Sequence, residues 1–149
     1  MDWTDIDSVY GSRYDLDRRY KAGDLRQLKA FILVDMIGDK NLDLKRESGS
    51  TPWLTDIIWN TAHKIGYNRE FLNESLPIED DHFPFLKAGI PAVDLIDFNY
   101  GPSHSYWHTV GDTLDKNSAR SLKVGGDVVY AALPEIDKRV GQSNLQFSV

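Results

Sequence analysis

Cysteine is absent from this chain of 149 residues, which removes disulfides, thiolate metal ligands and cysteine nucleophiles together. A metal ion here would have to be held by His and carboxylate side chains, the donor set of catalytic rather than structural zinc. No apolar run approaches the roughly 20 residues that a membrane helix needs, so no membrane partner is expected. The acidic, polar start Met1-Asp2-Trp3-Thr4-Asp5 is no signal peptide. No block of like charge reads as an interaction tail, and no glycine loop of the phosphate-cradling kind occurs. Ser8, Ser103 and Ser105 lack a nucleophile-elbow context, which argues against a serine hydrolase. The formal net charge of −6 argues against a nucleic-acid partner, because phosphate binding wants a basic surface. The compartment stays open.

What is present is an ordinary globular composition, 41% hydrophobic and 27% charged, at a length that suits one domain rather than two. Residues 12 to 28 read as a helix with Leu16, Tyr20 and Leu25 on its apolar side, interrupted by Gly23. The run from Leu28 to Gly38 reads as a buried strand, with Asp35 the one charge near its downstream end. Ser50 or Thr51 can cap a helix with Pro52 in its first turn, where the missing N–H does no harm. Leu54, Ile57, Ile58, Ala62 and Ile65 then follow at helical spacing, and Gly66 stops the helix. Phe71-Leu72 suggests a short strand, 83–89 a short helix ending at Gly89, and Ile90 to Phe98 a second buried strand. A loop rich in Gly, Pro, Ser and His covers 99–111. From Asn117 or Ser118, Leu122, Val128, Val129, Ala132, Leu133, Ile136 and Val140 mark a long amphipathic helix. Pro134 is expected to kink or shorten it, and 141–149 reads as a loosely held tail. Gly125-Gly126 suggests close helix packing. This order of elements is α/β.

In open α/β sheets ligands bind beyond the carboxyl ends of strands, and both Asp35 and the loop after Phe98 open onto that edge. A carboxylate ending an apolar run is costly to bury unless paired, hydrogen-bonded or on a metal, although Asp in that place also caps turns. Asp80-Asp81-His82 brings two carboxylates and an imidazole to a helix start, where Asp commonly serves as N-cap. His108 follows Tyr106-Trp107 in the glycine-rich loop; imidazole is the usual zinc ligand, and a surface histidine is the plainer alternative. His104, in Pro-Ser-His-Ser, is a poorer ligand, and His63 lies within an amphipathic helix and reads as structural. Tyr106-Trp107 suits either the wall of a small apolar pocket or core packing.

Taken in order, these segments resemble the family of zinc-dependent aminopeptidases and glutaminyl cyclases that share one α/β fold. The matching stretches run from Trp3 to Arg13 and from Leu33 to Gly38. They continue through Ile78-Glu79-Asp80-Asp81-His82-Phe83-Pro84-Phe85-Leu86, Gly89-Ile90-Pro91-Ala92, and Trp107-His108-Thr109 with Asp112-Thr113. The resemblance implies part of a mixed β-sheet flanked by helices, and a zinc cofactor. It makes His108 the last zinc ligand and Asp35 either a second-zinc ligand or a proton-relay partner. It makes Asp80 the other relay carboxylate, with Trp107 and Trp3 flanking the substrate pocket. The substrate class implied is the N-terminus of a peptide. In this family zinc polarises a carbonyl while a carboxylate moves the proton.

The sequence departs from that pattern at its start. In the family a His or Asp, an Asp and a Glu-Glu pair precede the segment matching Trp3; here only Met1 and Asp2 precede it, and the first glutamate is Glu47. The resemblance therefore implies one partial domain over 1–149 whose N-terminal half is missing, expected to be inactive alone. The first segment and the Trp-His-Thr resemble the cyclase branch most. Asp35-Met36-Ile37-Gly38 suits either branch, and the reading adopted leans to an aminopeptidase-like hydrolase, with glutaminyl cyclase as the alternative. A third alternative is a non-enzymatic remnant or interaction module. An exposed sheet edge or apolar face makes a homo-oligomer the expectation. Family members are often exported, but nothing in this chain decides its localisation.

Overall fold

The apolar segments centred on Leu33 and Asp94 meet as neighbouring strands in the computed structural model, which describes residues 8–145. Strand β1 (Phe31–Asp35) runs parallel to β4 (Ala92–Ile96), in register from Phe31↔Ala92 to Asp35↔Ile96. Parallel neighbours require a long crossover. Here it passes through β2 (Leu44–Glu47), α2 (Pro52–Lys64), β3 (Phe71–Leu76) and α3 (Phe83–Lys87). β2 pairs parallel with β3, with a register shift between Leu44 and Arg46, and also lies alongside β4. Helix α1 (Tyr10–Ala22) precedes the strands and α4 (Ala119–Leu145) follows them. The fold is α/β, with parallel strands flanked by helices. No helix among the described residues is long and apolar enough to cross a membrane.

Side chains alternate across a strand, and β4 uses both faces. Val93 and Leu95 join Leu44, Leu54, Ile58, Trp59, Phe71, Val124 and Val128 in the larger core, under α2 and α4. Ala92, on the opposite face, joins Phe85, Ile90 and Phe31 beneath α1 and α3, where the Phe31 and Phe85 rings stack 4.1 Å apart. Asp94 and Ile96 share the face of Ala92 and are sealed from solvent. This second face ends at the carboxyl edge of the strands.

Several expectations are met and several shift. The 12–28 helix is α1 from Tyr10 followed by a 3₁₀ turn at Leu25–Gln27; Leu16 and Leu25 pack inward, but Tyr20 is exposed. β1 is shorter than the apolar run and only half-buried, because no strand covers its second edge among the described residues. Neither Ser50 nor Thr51 caps α2 with its side chain. The Ser50 hydroxyl donates to Glu47, and Thr51 Oγ1 accepts the Ala92 N–H at 3.0 Å, so both serve tertiary contacts instead. β2 carried no recognisable apolar alternation: Lys45-Arg46 sits between buried Leu44 and Glu47. Helix α4 continues through Pro134 to Leu145, so the proline does not end it early and 141–145 is helical; 146–149 lie outside the described residues. Gly125 does permit a close approach, since a Cβ there would lie 2.6 Å from Ile37 Cδ1, whereas Gly126 faces open space.

Candidate functional site

The register of β1 with β4 sets Asp35 opposite Ile96 at the carboxyl edge of both strands. There a cavity of about 590 Å³ opens, lined among others by Asp35, Met36, Asp80, Ile96, Phe98, Trp107 and His108. Four of the five site residues singled out from the sequence, on three separate segments, thus share one pocket. Trp3, the fifth, lies outside the described residues. The α1 and α3 side of the cavity adds Val9, Arg13, Phe83 and Lys87.

The aromatic wall is built by stacking. The His108 ring lies on the Trp107 indole at 4.2 Å and 22°; Phe98 meets that indole edge-on at 5.7 Å. His104 does not turn toward the cavity as a ligand, and instead fills the space between Phe98 and Trp107 at 4.3 and 5.2 Å. His63 is structural, as expected, with Nε2 3.0 Å from the Phe71 carbonyl. Val9, Met36 and His108 all adopt left-handed backbone conformations, with φ of 46, 53 and 54°. Non-glycine residues rarely do so, and such residues gather at functional sites.

Burial pushes the carboxyl of Asp35 above its ordinary value, against the Met36 N–H that donates to it at 2.9 Å, and the charge of Asp81 adds to the rise. Asp80 is raised in the same way, by burial first, against the Asp81 N–H at 2.6 Å, with Asp35 contributing. Two half-buried carboxyls that each resist ionisation suit the holding and passing of a proton. Asp80 is not a helix cap: His82 occupies that place before α3, without a side-chain cap bond.

A second layer lies beneath, and of its members only His82, as part of the Asp80-Asp81-His82 cluster, was singled out from the sequence. His82 is fully buried, with Nε2 3.1 Å from Glu47 Oε2. Burial works to raise Glu47, but hydrogen bonds from His82, Gly49, Ser50 and Ile78 outweigh it and hold the carboxyl at about 2. Asp94, also fully buried, is pushed up to about 8 by burial and then by Asp80, Asp35, Glu47 and Asp81. The signal for Asp94 was available, since it is a carboxylate flanked by apolar residues on both sides within a run that reads as a strand, as Asp35 is. Glu47 offered none, because its strand was not legible.

His108 and Asp35 are the cavity residues to which the family resemblance assigned zinc. Among the described residues no group of three or more His, Asp or Glu side chains is arranged to hold a metal ion. A catalytic zinc takes about three protein ligands, so the described residues do not build such a site by themselves.

This cavity lies at the carboxyl edge of parallel strands, the place where α/β folds bind ligands. Residues 7–133 match peptidase family M28, and the chain belongs to that family. It is 42% identical to glutaminyl cyclase of an Acidobacteriales bacterium, superposing with a TM-score of 0.88 over 93% of this chain and 49% of that one. A Zn-dependent exopeptidase from Parabacteroides distasonis superposes with a TM-score of 0.72 at 26% identity, over 87% of this chain and 46% of the other. In sequence, glutaminyl-peptide cyclotransferase of Dictyostelium discoideum is 30% identical over 81% of this chain and 40% of its own length. The chain therefore spans about half or less of the length of the relatives it matches.

Proposed function

We propose that this chain forms the substrate-facing half of a glutaminyl cyclase-type site, with the N-terminal glutaminyl residue of a peptide as its ligand. The observation that carries this is the shared cavity of Asp35, Asp80, Trp107 and His108. Trp107 supplies a flat apolar wall for the glutaminyl side chain. Asp80, raised by burial, holds or passes a proton at the substrate nitrogen, and Asp35 shares that proton. His108, exposed at the rim of its stack, is the ligand this chain would offer to zinc; the remaining ligands and the general base are not among its described residues. Cyclase is favoured over the aminopeptidase reading by the cyclases among its relatives. The Zn-dependent exopeptidase keeps hydrolysis of a peptide end as the second reading.

The test is a titration of the ¹⁵N-labelled chain with an N-terminal glutaminyl peptide, following the Trp107 indole N–H. Shifts confined to Trp107 and its cavity neighbours are expected, and Trp107→Ala should abolish them. Binding equally well to an N-acetylated control peptide, or nowhere near the cavity, would sink the reading. With zinc added, no turnover by this chain alone is expected. Should turnover occur, ammonia release identifies cyclisation and free glutamine identifies hydrolysis, and its loss in His108→Ala would overturn the inactivity.

A further inference from the structure

Glu47 is 4% exposed, yet its side chain accepts four hydrogen bonds. Oε1 takes the backbone N–H of Gly49 at 2.7 Å and of Ile78 at 3.3 Å. Oε2 takes the Ser50 hydroxyl at 2.8 Å and Nε2 of His82 at 3.1 Å. Ser50 Oγ in turn accepts the Asp94 N–H at 3.1 Å, which ties the same cluster to β4. Two of the four donors, Ile78 and His82, belong to one segment, and Asp80 stands midway between them.

We propose that Glu47 is a positioning residue for Asp80: one buried carboxylate grips the 78–82 segment two residues before and two residues after Asp80, and so fixes where that carboxyl enters the cavity. This rests on the reading of Asp80 as the proton-handling group, but the grip is a property of the chain itself. Hydrogen bonds to a buried, ionised acceptor are among the stronger kinds and are costly to leave unmade. A rival hold exists, since Ser12 Oγ donates to Asp81 Oδ1 at 2.7 Å and ties the segment to α1. The rival touches the segment at one point on one side of Asp80. Glu47 holds both sides and anchors them to β2, the start of α2 and β4 together.

Three variants separate the two holds: Glu47→Ala, Glu47→Gln and Ser12→Ala. The readouts are amide exchange at Ile78 and the shift of the Asp81 amide proton, which reports the Asp80 carboxyl it donates to at 2.6 Å. Imidazole ¹⁵N shifts of His82 complete the set. None of these needs a ligand, so failure of glutaminyl peptides to bind would strike the functional reading and leave this test intact. In Glu47→Ala, Ile78 protection should fall roughly tenfold or more and the Asp81 amide should move, with Trp59 signals of the main core retained. In Glu47→Gln the amide oxygen still accepts from Ile78, while its NH₂ faces His82. The Asp81 amide should then stay in place while His82 moves its proton from Nε2 to Nδ1. Ser12→Ala should leave the Ile78 protection unchanged. Should Glu47→Ala not fold, Glu47→Gln decides alone, because loss of the Asp81 signature with no tautomer change in His82 overturns the proposal. A folded Glu47→Ala with unaltered Ile78 and Asp81 signals overturns it equally.

Discussion

Nδ1 of His82 lies 3.8 Å from Oδ2 of Asp94, with both side chains sealed from solvent. That is too long for a hydrogen bond, and none of Nδ1, Oδ1 and Oδ2 has another partner. Because Glu47 is held ionised at about 2, it can only accept, so Nε2 donates to it and Nδ1 is the ring nitrogen that faces Asp94. Asp94, pushed to about 8, faces it as a protonated acid at neutral pH. Keeping Asp94 protonated avoids burying its charge beside that of Glu47 under the cavity.

The pH dependence of stability follows from these two shifts in opposite directions. Asp94 is raised from 3.8 to about 8, so the native state holds a proton that the unfolded state releases. Its contribution is fully present below 3.8 and is lost as pH rises through about 8. Glu47 is lowered from 4.5 to about 2, so its contribution is present above 4.5 and is lost as pH falls through about 2. Asp94→Asn mimics the protonated acid. Urea midpoints should show little gain for this variant near pH 4 and a gain that widens up to pH 8. A gain that is flat across this range would show that Asp94 ionises normally.

The two adjacent glycines of α4 should respond in opposite senses. A methyl group at Gly126 meets nothing within 4 Å, so Gly126→Ala gains helix propensity of about 1 kcal/mol and should raise Tm. At Gly125 the first added carbon already lies 2.6 Å from Ile37 Cδ1, and Gly125→Val should cost about 1–3 kcal/mol through overpacking. Ile37 directly follows Met36 of the cavity wall, so the same variant should also shift Met36 and Asp35 signals. Equal thermal effects of the two substitutions would contradict the packing described.

How much of this was legible in the sequence follows from where the physical signal is local. Helical spacing from Leu54 to Ile65 and the apolar run ending at Phe98 reported α2 and β4 directly, since periodicity and burial are written in neighbouring residues. The cavity was legible through separate features that only the parallel register of β1 with β4 joins: a strand-end carboxylate, an acidic helix start and an aromatic loop. β2 was not legible, because a four-residue strand with Lys45-Arg46 at its centre has no period to read. Glu47 was hidden with it. Its role depends on donors from Gly49, Ser50, Ile78 and His82, and the farthest of these is 35 positions away. The caps assigned to Ser50 and Thr51 failed for a related reason, as tertiary partners outcompeted the local helix end.

Self-association is a further expected outcome. β1 pairs only with β4 among the described strands, and Val34 on it is 41% exposed. An unpaired strand edge bearing an apolar side chain invites a second copy. Light scattering at micromolar concentration should show an oligomer, and Val34→Lys should shift it toward monomer, since edge lysines oppose strand pairing. A monodisperse monomer for the unsubstituted chain would refute this.

Zinc affinity tests the division of the site most directly. The cavity offers His108 and Asp35, and although Asp80 shares it, no three His, Asp or Glu side chains among the described residues are arranged to hold a metal ion. Catalytic zinc takes about three protein ligands, and each missing ligand leaves a coordination position to water. Mixed with equimolar zinc at micromolar concentration and then dialysed, the chain should retain far less than one equivalent. The weak binding that remains should disappear in His108→Ala and fall in Asp35→Asn, while Asp94→Asn, which alters a carboxyl sealed beneath the cavity, should leave it unchanged. Retention of a full equivalent through dialysis would mean that a third ligand comes from residues 1–7, from a rearranged Asp80 or from a second copy. Repeating the measurement with Asp5→Asn and Asp7→Asn, and at concentrations on either side of the oligomer transition, separates those sources.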